Sequence, residues 1–449
     1  MECEVRRRST HDVESLTFII VFAALVAIFV LWLGWRISFP LEIDGNEAFN
    51  AWHADNAFSP NKLYPNPDVL ILNNYPPLSF IVVRLISSIF ANEIVAGRIL
   101  SLLSIFLVGA ATYRCARELG AAPKYAALGG LWFIATMARG FAGYAGMDDP
   151  NLLWLSVAAW AFYVYLSARS ASTIFTAFFL MAVAGFIKHN LIAIPICAIA
   201  CVLISQRRMA MPIMIFGLLT CATFSALTVS VYGSNFVLQL LAARQVSLLA
   251  PLKSLDHLQW VVVVWPFWIV WLRWSPDRRA KIVTTILIVA GTATWFLWKV
   301  GAGVDENVQF ELVFGTSICV AVVLPVLHDR GISTSRGWIT LSAVFCLVLI
   351  ARLLVSPECG PYLLLGSPAY RLMIARQSLV VDREVSRIRT IPGAVSCSIQ
   401  TVCYLAGKAF VFNDFAVQQQ IAMGRASNSE IAAAVRNIRF ETIDPRAHW

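Results

Sequence analysis

Apolar residues run along this chain in blocks long enough to cross a bilayer, separated by short polar loops. A hydrocarbon core of ~30 Å takes about 20 helical residues. Blocks at or near that length lie at 16–36, 95–116, 124–141, 150–167, 209–232, 257–274, 281–300, 308–327 and 338–355. Two shorter blocks, near 173–187 and 191–204, are divided by Lys188, His189 and Asn190 and predict a hairpin with a polar tip at the interface. The stretch 78–91 carries Arg84 and has the length of an interfacial helix, not of a span. The pattern therefore predicts an all-α polytopic membrane protein with about eleven transmembrane helices.

Charge placement orients it. With 78–91 left out of the count, Arg6–Arg8, Arg114, Arg117, Lys124, Arg169, Arg207, Arg208, Arg273, Arg278, Arg279, Lys281, Arg330 and Arg336 all fall on one side. By the positive-inside bias that side is cytoplasmic, with the N-terminus inside and the C-terminus outside. Asp44, Glu47, Asp148, Asp149, Asp305, Glu306 and Glu311 then gather near the outer face, together with Lys188 and Lys299. Outer loops tolerate acids in general. Ionisable clusters at a membrane edge are nonetheless costly without a partner, which favours a site.

Composition narrows the classes. Of 449 residues, 59% are hydrophobic and 14% charged, where a soluble domain has about a quarter charged. A soluble multidomain enzyme, a disordered chain and a disulfide framework are excluded. The net charge of +9 belongs to cytoplasmic loops and lipid headgroups, and no basic stripe or aromatic platform suggests nucleic acid. The cysteines show no metal-ligand spacing, and Cys197, Cys201 and Cys221 lie in apolar runs as packing residues. The first apolar block follows Arg6–Arg8 without a small-residue cleavage site and reads as a retained span.

From about residue 356 the pattern changes. An amphipathic helix over 376–390, a turn at Pro392-Gly393, strands at AVSC and AFVF with a helix between them, a polar helix through 428–438 and a strand near 439–443 predict a small α/β domain outside the membrane. The expected domains are thus 1–355 and 356–449. Cys397 and Cys403 fall where an outer compartment permits a disulfide; two separately buried thiols is the other reading.

Several short constellations can carry chemistry. Asp44 and Glu47 share a face at a helix start in EIDGNEAFNAWHADNAF; one can act as a general base toward a hydroxyl, or Asp44 can simply cap the helix. Tyr75-Pro76-Pro77-Leu78 fixes a rigid turn. Arg98 opens the second span and can snorkel or meet a lipid phosphate. Asp149-Pro150 is an ordinary helix start, whereas Lys188, His189 and Lys299 are placed to meet a phosphate at the interface. No set of His, Cys and carboxylates specifies a metal.

In this order the motifs resemble the GT-C membrane glycosyltransferases, nearest to the bacterial lipid A aminoarabinose transferases, protein O-mannosyltransferases and rhizobial galacturonosyl transferases. The resemblance spans roughly residues 16–330 and rests on Asp44 and Glu47, the YPPL turn, Gly97-Arg98, Asp149-Pro150, Lys188, and Lys299 followed by GAGVDENVQFEL. It implies a GT-C-like fold with juxtamembrane helices in the first outer loop. It also implies transfer of a hexosyl or pentosyl group, with inversion, from a polyprenyl-phosphate sugar to an envelope glycan, glycolipid or protein. The active site would lie on the extracytoplasmic face of a multi-pass inner-membrane enzyme, with Asp44 matching the family's first-loop acid, Glu47 and Asp149 as further catalytic carboxylates, and Tyr75, Arg98, Lys188, His189, Lys299 and Glu311 binding substrate. A divalent cation is a possible cofactor. Adjacent Asp-Glu is usual in the family, whereas Gly45 and Asn46 intervene here, so the base remains Asp44 or Glu47. A transporter or lipid flippase of envelope precursors is the alternative, but it would place its ionisable groups at the midplane in paired halves; a non-catalytic scaffold would tolerate loss of Asp44.

The topology has a direct test. A single cysteine at position 277, in a background without native thiols, is expected to resist an impermeant thiol reagent in intact cells, whereas positions in 233–256 react. Labelling of 277 would reverse the assignment.

Overall fold

A computed structural model of the chain describes residues 2–66, 70–90, 92–328, 330–334, 337–356, 359–447 and 449. The apolar blocks are helical. Glu14–Ile37, Glu93–Glu118, Arg207–Tyr232, Arg278–Lys299 and Glu306–His328 are each long and apolar enough to cross a bilayer. A count of eleven spans requires shorter helices to cross as well: Pro123–Gly140, Pro150–Leu166, Ala171–Gly185, Ala193–Ser205 and Leu341–Leu354. The block expected as one span at 257–274 is instead broken, with Leu255–Val262 and Trp265–Trp274 meeting at 47°. Pro266 explains the break, because it has no N–H to continue the ladder and suits a first helical turn.

The bundle is built around Glu93–Glu118, Pro123–Gly140 and Phe310–His328, which pack on one another and on the first helix and Pro150–Leu166. Trp132, Trp154, Phe133 and Phe314 fill this core. Arg207–Tyr232 lies at the periphery, where Met211, Ile215, Leu218, Leu219 and Val231 remain exposed. Apolar side chains on an outer helix are what lipid requires, since the backbone is satisfied within the helix.

The stretch at 78–91 forms a helix only over Leu78–Ser87. It packs on the first-loop helix Asn46–Asp55 and on Glu93–Glu118. Arg84 reaches Glu93 at 2.5 Å and Asp55 at 3.2 Å. The Leu78 N–H donates to the Phe186 carbonyl, joining this short helix to the tip of the 171–205 hairpin.

After residue 356 the helix Pro368–Arg389 leads to a two-stranded parallel ladder, Ala394–Cys397 with Ile438–Glu441. Helix Gln400–Leu405 lies between them in sequence, and a disulfide joins Cys397 to Cys403. Leu41 of the first loop belongs to the same apolar cluster as Ile374, Val381, Val402 and Ile443. AFVF at 409–412, expected as a strand, forms none among the described residues. Its rings are used otherwise: Phe412 meets Phe440 edge-on, and Phe410 packs against Phe49, Trp52 and His53. Elements not anticipated include the helices Gly360–Gly366 and Asp414–Ala422 and the hairpin Gly331–Thr334/Gly337–Thr340.

Hydrogen bonds hold this segment against the outer loops and the start of the second long helix. Thr401 N donates to Glu42, Tyr404 Oη to Glu93, Asn413 N to the Leu70 carbonyl, and Gln245 N to Gln419. Gly303 adopts φ 70°, and a Cβ there would lie 2.3 Å from the Phe415 ring. Gly303→Ala therefore combines left-handed strain with a clash. It is expected to cost roughly 1–3 kcal/mol and to speed limited proteolysis of the segment after 356, read by gel and mass spectrometry.

Candidate active site

The first outer loop is fixed by a buried ion pair. Glu47 and Arg98 are fully buried, with Arg98 Nη2 2.6 Å and Nε 2.8 Å from the two carboxylate oxygens. The remaining Arg98 donors go to the carbonyls of Arg36, Phe39 and Leu41. Glu47 also accepts from the backbone N–H of Ile43 at 2.9 Å and of Asp148 at 3.3 Å. Such a pair offsets its desolvation only because every donor and lone pair is occupied. Arg98, expected at a substrate phosphate, has no donor left for one, and Glu47, expected as a base or its partner, has both oxygens engaged.

Gly97 has a complementary part. A Cβ at Gly97 would lie 2.0 Å from Asp148 Oδ1, so only glycine lets the second outer loop close onto the Glu93–Glu118 helix. Asp148 is buried, its carbonyl accepts from Asn50, and its Oδ2 has no partner. Burial, then the charges of Glu47 and Asp149, push its carboxyl well above the ordinary range, with Arg98 opposing.

Asp149 caps the Pro150–Leu166 helix, accepting from Asn151 N at 2.7 Å. Asp44 keeps solvent-exposed surface and accepts from the Asn46 backbone and side-chain amides at 2.9 and 2.7 Å. Desolvation by the surrounding chain raises its pKa, the Asn46 bonds lower it, and the nearby Asp149 and Glu47 charges raise it again. Asp44 thus combines solvent access with a raised pKa, which is what a general base requires.

The cationic side of the rim comes from the hairpin tip. The Lys188 ammonium sits 4.5 Å from the Tyr75 ring centroid, on a side chain that is buried. His189 beside it is exposed at the protein surface; desolvation, then the Lys188 and Arg244 charges, hold its imidazole down to about 4, so it is neutral. Tyr144 links the two sides: its hydroxyl donates to Asp305 at 2.9 Å. Desolvation raises its pKa most, and the charges of Asp305, Asp149 and Tyr75 all act on it. Lys299 donates to the Val304 carbonyl at 2.9 Å, behind this corner. Burial, then Asp305, lifts Glu306 to about 7 against the pull of Lys299.

Glu311 is not at the rim. It is buried and accepts from Ile194 N at 2.7 Å. The helix Ala193–Ser205 has no side-chain cap of its own, and Glu311 supplies one from another helix, with the sign its N-terminus prefers. Tyr144 and His53 were missed in the sequence. His53 is enclosed by Phe49, Trp52, Phe80 and Phe410, and burial pushes it down to about 4. Its signal is weak because the enclosing Phe410 is far away in the chain. Among the described residues, no three or more His, Cys, Asp or Glu side chains group as metal ligands.

The fold is that of the GT-C membrane glycosyltransferases. ArnT from Cupriavidus metallidurans bound to undecaprenyl phosphate superposes with a TM-score of 0.60 at 12% identity, covering 94% of this chain and 90% of that one. The apo state of the same protein gives 0.61 at 13% identity, covering 91% and 88%. The archaeal oligosaccharyltransferase AglB from Archaeoglobus fulgidus, in complex with an inhibitory peptide and a dolichol-phosphate, gives 0.55 at 9% identity, covering 94% of this chain and 69% of that one. No protein-family model and no curated protein sequence matches the chain.

Arg98→Met leaves Glu47 buried without its partner. It is expected to destabilise the protein by ~3–5 kcal/mol, read as a lowered thermal midpoint in detergent. A midpoint equal to that of the parent would remove the pair from its structural role.

Proposed function

We propose that the protein transfers a sugar from a polyprenyl-phosphate donor to a hydroxyl of an envelope glycan, glycolipid or protein, with inversion at the anomeric carbon. The observation that carries this reading is the approach of an exposed Asp44 to Asp149, while Tyr144 connects that acidic side to Asp305 and to the Tyr75–Lys188 pair. Base and cation are thereby on opposite sides of one rim. The acceptor oxygen attacks the anomeric carbon, its proton passes to Asp44, and the bond from that carbon to the phosphate oxygen breaks. Polyprenyl phosphate leaves as an anion and needs positive charge more than a proton. Lys188 meets that need, with Lys299 and His189 at its margins and Tyr75 holding the ammonium.

The Asn46 amides orient Asp44 and the Asp149 charge helps to hold its pKa up; Glu47, Arg98 and Glu311 position the loops and do not touch substrate. The undecaprenyl phosphate on ArnT and the dolichol-phosphate on AglB support a lipid-phosphate donor of this chemistry. The inner membrane is the proposed location, with the site on the extracytoplasmic face. The Cys397–Cys403 disulfide supports an oxidising compartment for the segment 356–449, which acts as a separate cover over the first outer loop. If the reaction uses a divalent cation, Asp44 and Asp149 are the carboxylates that would hold it, and it would neutralise phosphate charge.

In a purified, lipid-reconstituted assay, Asp44→Asn should lower turnover ~10²–10⁴-fold, the usual worth of a general base, with donor affinity little changed. Lys188→Ala should weaken donor binding as well as turnover, because a phosphate contact exists before and during transfer. Asp148→Asn, which keeps the shape of a buried side chain away from the proposed base, should retain turnover close to that of the parent. As pH falls, activity should be lost on an acid limb above the ordinary aspartate range, because Asp44 must be ionised to act. Near-normal transfer by Asp44→Asn would end the assignment.

A further inference from the structure

A second cationic feature lies on the same side of the bundle and takes no part in the rim. Arg139, in the last turn of Pro123–Gly140, is 2% exposed. It donates through Nε to the Leu353 carbonyl and through Nη2 to the Ser356 carbonyl, both at 3.1 Å, while its buried Nη1 has no partner. Its guanidinium is 4.9 Å from the Tyr362 ring centroid and 5.6 Å from that of Phe29. Arg352, in the last turn of Leu341–Leu354, lies 3.7 Å over the Trp260 ring and donates Nη1 to the Val355 carbonyl. Each guanidinium lies within the other's field, and neither forms an ion pair among the described residues. The buried Tyr362 hydroxyl is also without a partner among the described residues.

Two arginines side by side in an aromatic wall cannot shed their charge by deprotonation. Carbonyls at the end of Leu341–Leu354 offset part of it. Aromatic faces add more, but neither supplies a net negative charge. A position at the membrane edge makes an uncompensated double positive charge costly. Arg352 is only partly buried, so its Nε and Nη2 can be approached from outside.

We propose that Arg139 and Arg352, with the Tyr362 hydroxyl and the Trp260 face, form an anion site that holds a phosphate oxyanion, supplied by the headgroup of an anionic phospholipid of the surrounding leaflet. Arg352 makes the direct contact, and Arg139 completes the field beneath it. The site is separate from Asp44 and Lys188 and stands or falls independently of the transfer reaction.

The test uses the full-length protein, delipidated in a neutral detergent and supplied with phosphatidylglycerol, phosphatidylcholine or inorganic phosphate. Retained lipid is counted by native mass spectrometry, and thermal midpoints are read in parallel. The parent is expected to retain phosphatidylglycerol over phosphatidylcholine and to gain thermal stability from it. Arg352→Gln, at a partly exposed position, should lower that retention about tenfold or more, the worth of one charge-assisted contact. Protection by inorganic phosphate that Arg352→Gln abolishes also supports the site and identifies a free anion as its occupant. Equal retention of both lipids by the parent, or retention unaltered in both Arg352→Gln and Arg139→Gln, overturns the proposal.

Discussion

The Arg98–Glu47 pair is the constraint on which the outer face depends. One guanidinium collects the end of the first helix through three carbonyls, the first-loop helix through Glu47, and its own long helix through the backbone. Glu47 then reaches across to the amide of Asp148. Four pieces of chain that lie far apart in sequence are thereby referred to a single planar group. Water cannot substitute for any of these partners, because both side chains are sealed from it. The separation of Asp44 from Asp149 follows from this arrangement and not from any contact of their own.

That arrangement also explains how a motif can be legible while its role is not. The helices were readable because lipid imposes long apolar blocks, and the grouping of Asp44, Asp149, Asp305 and Lys188 on one side followed from counting loops. Gly97-Arg98 and Glu47 stood out equally well. Nothing in the sequence says whether a charge near the interface faces a substrate or another charge, because that depends on packing between remote segments. Glu311 failed for the same reason: a carboxylate in a span looks functional until the uncapped helix it serves is in view. The acid directly before Pro150 was preferred over its neighbour, and Asp149 does cap that helix, whereas Asp148 packs against Gly97 beneath it.

The segment after residue 356 shows the converse. Its strands at 394–397 and 438–441 follow the alternation of the sequence, and the AFVF run misleads because its aromatic rings bury against another part of the chain. Phe410 encloses His53 in a ring of aromatics, and Phe415 lies against Gly303. The tail therefore contributes surface to the outer loops instead of forming only a sheet of its own. Apolar residues that would be exposed on either part alone are covered by their contact.

The cap that Glu311 provides has a mechanical side. The helix it terminates begins just past the tip bearing Lys188, and the helix it belongs to begins just after Asp305. A rigid hydrogen bond thus fastens the cationic bank of the rim to the segment carrying its acidic one, below the level of solvent. Neither bank can slide along the membrane normal without carrying the other with it. The width of the gap between them is consequently set inside the bundle, where lipid and water have no access to the bond that sets it.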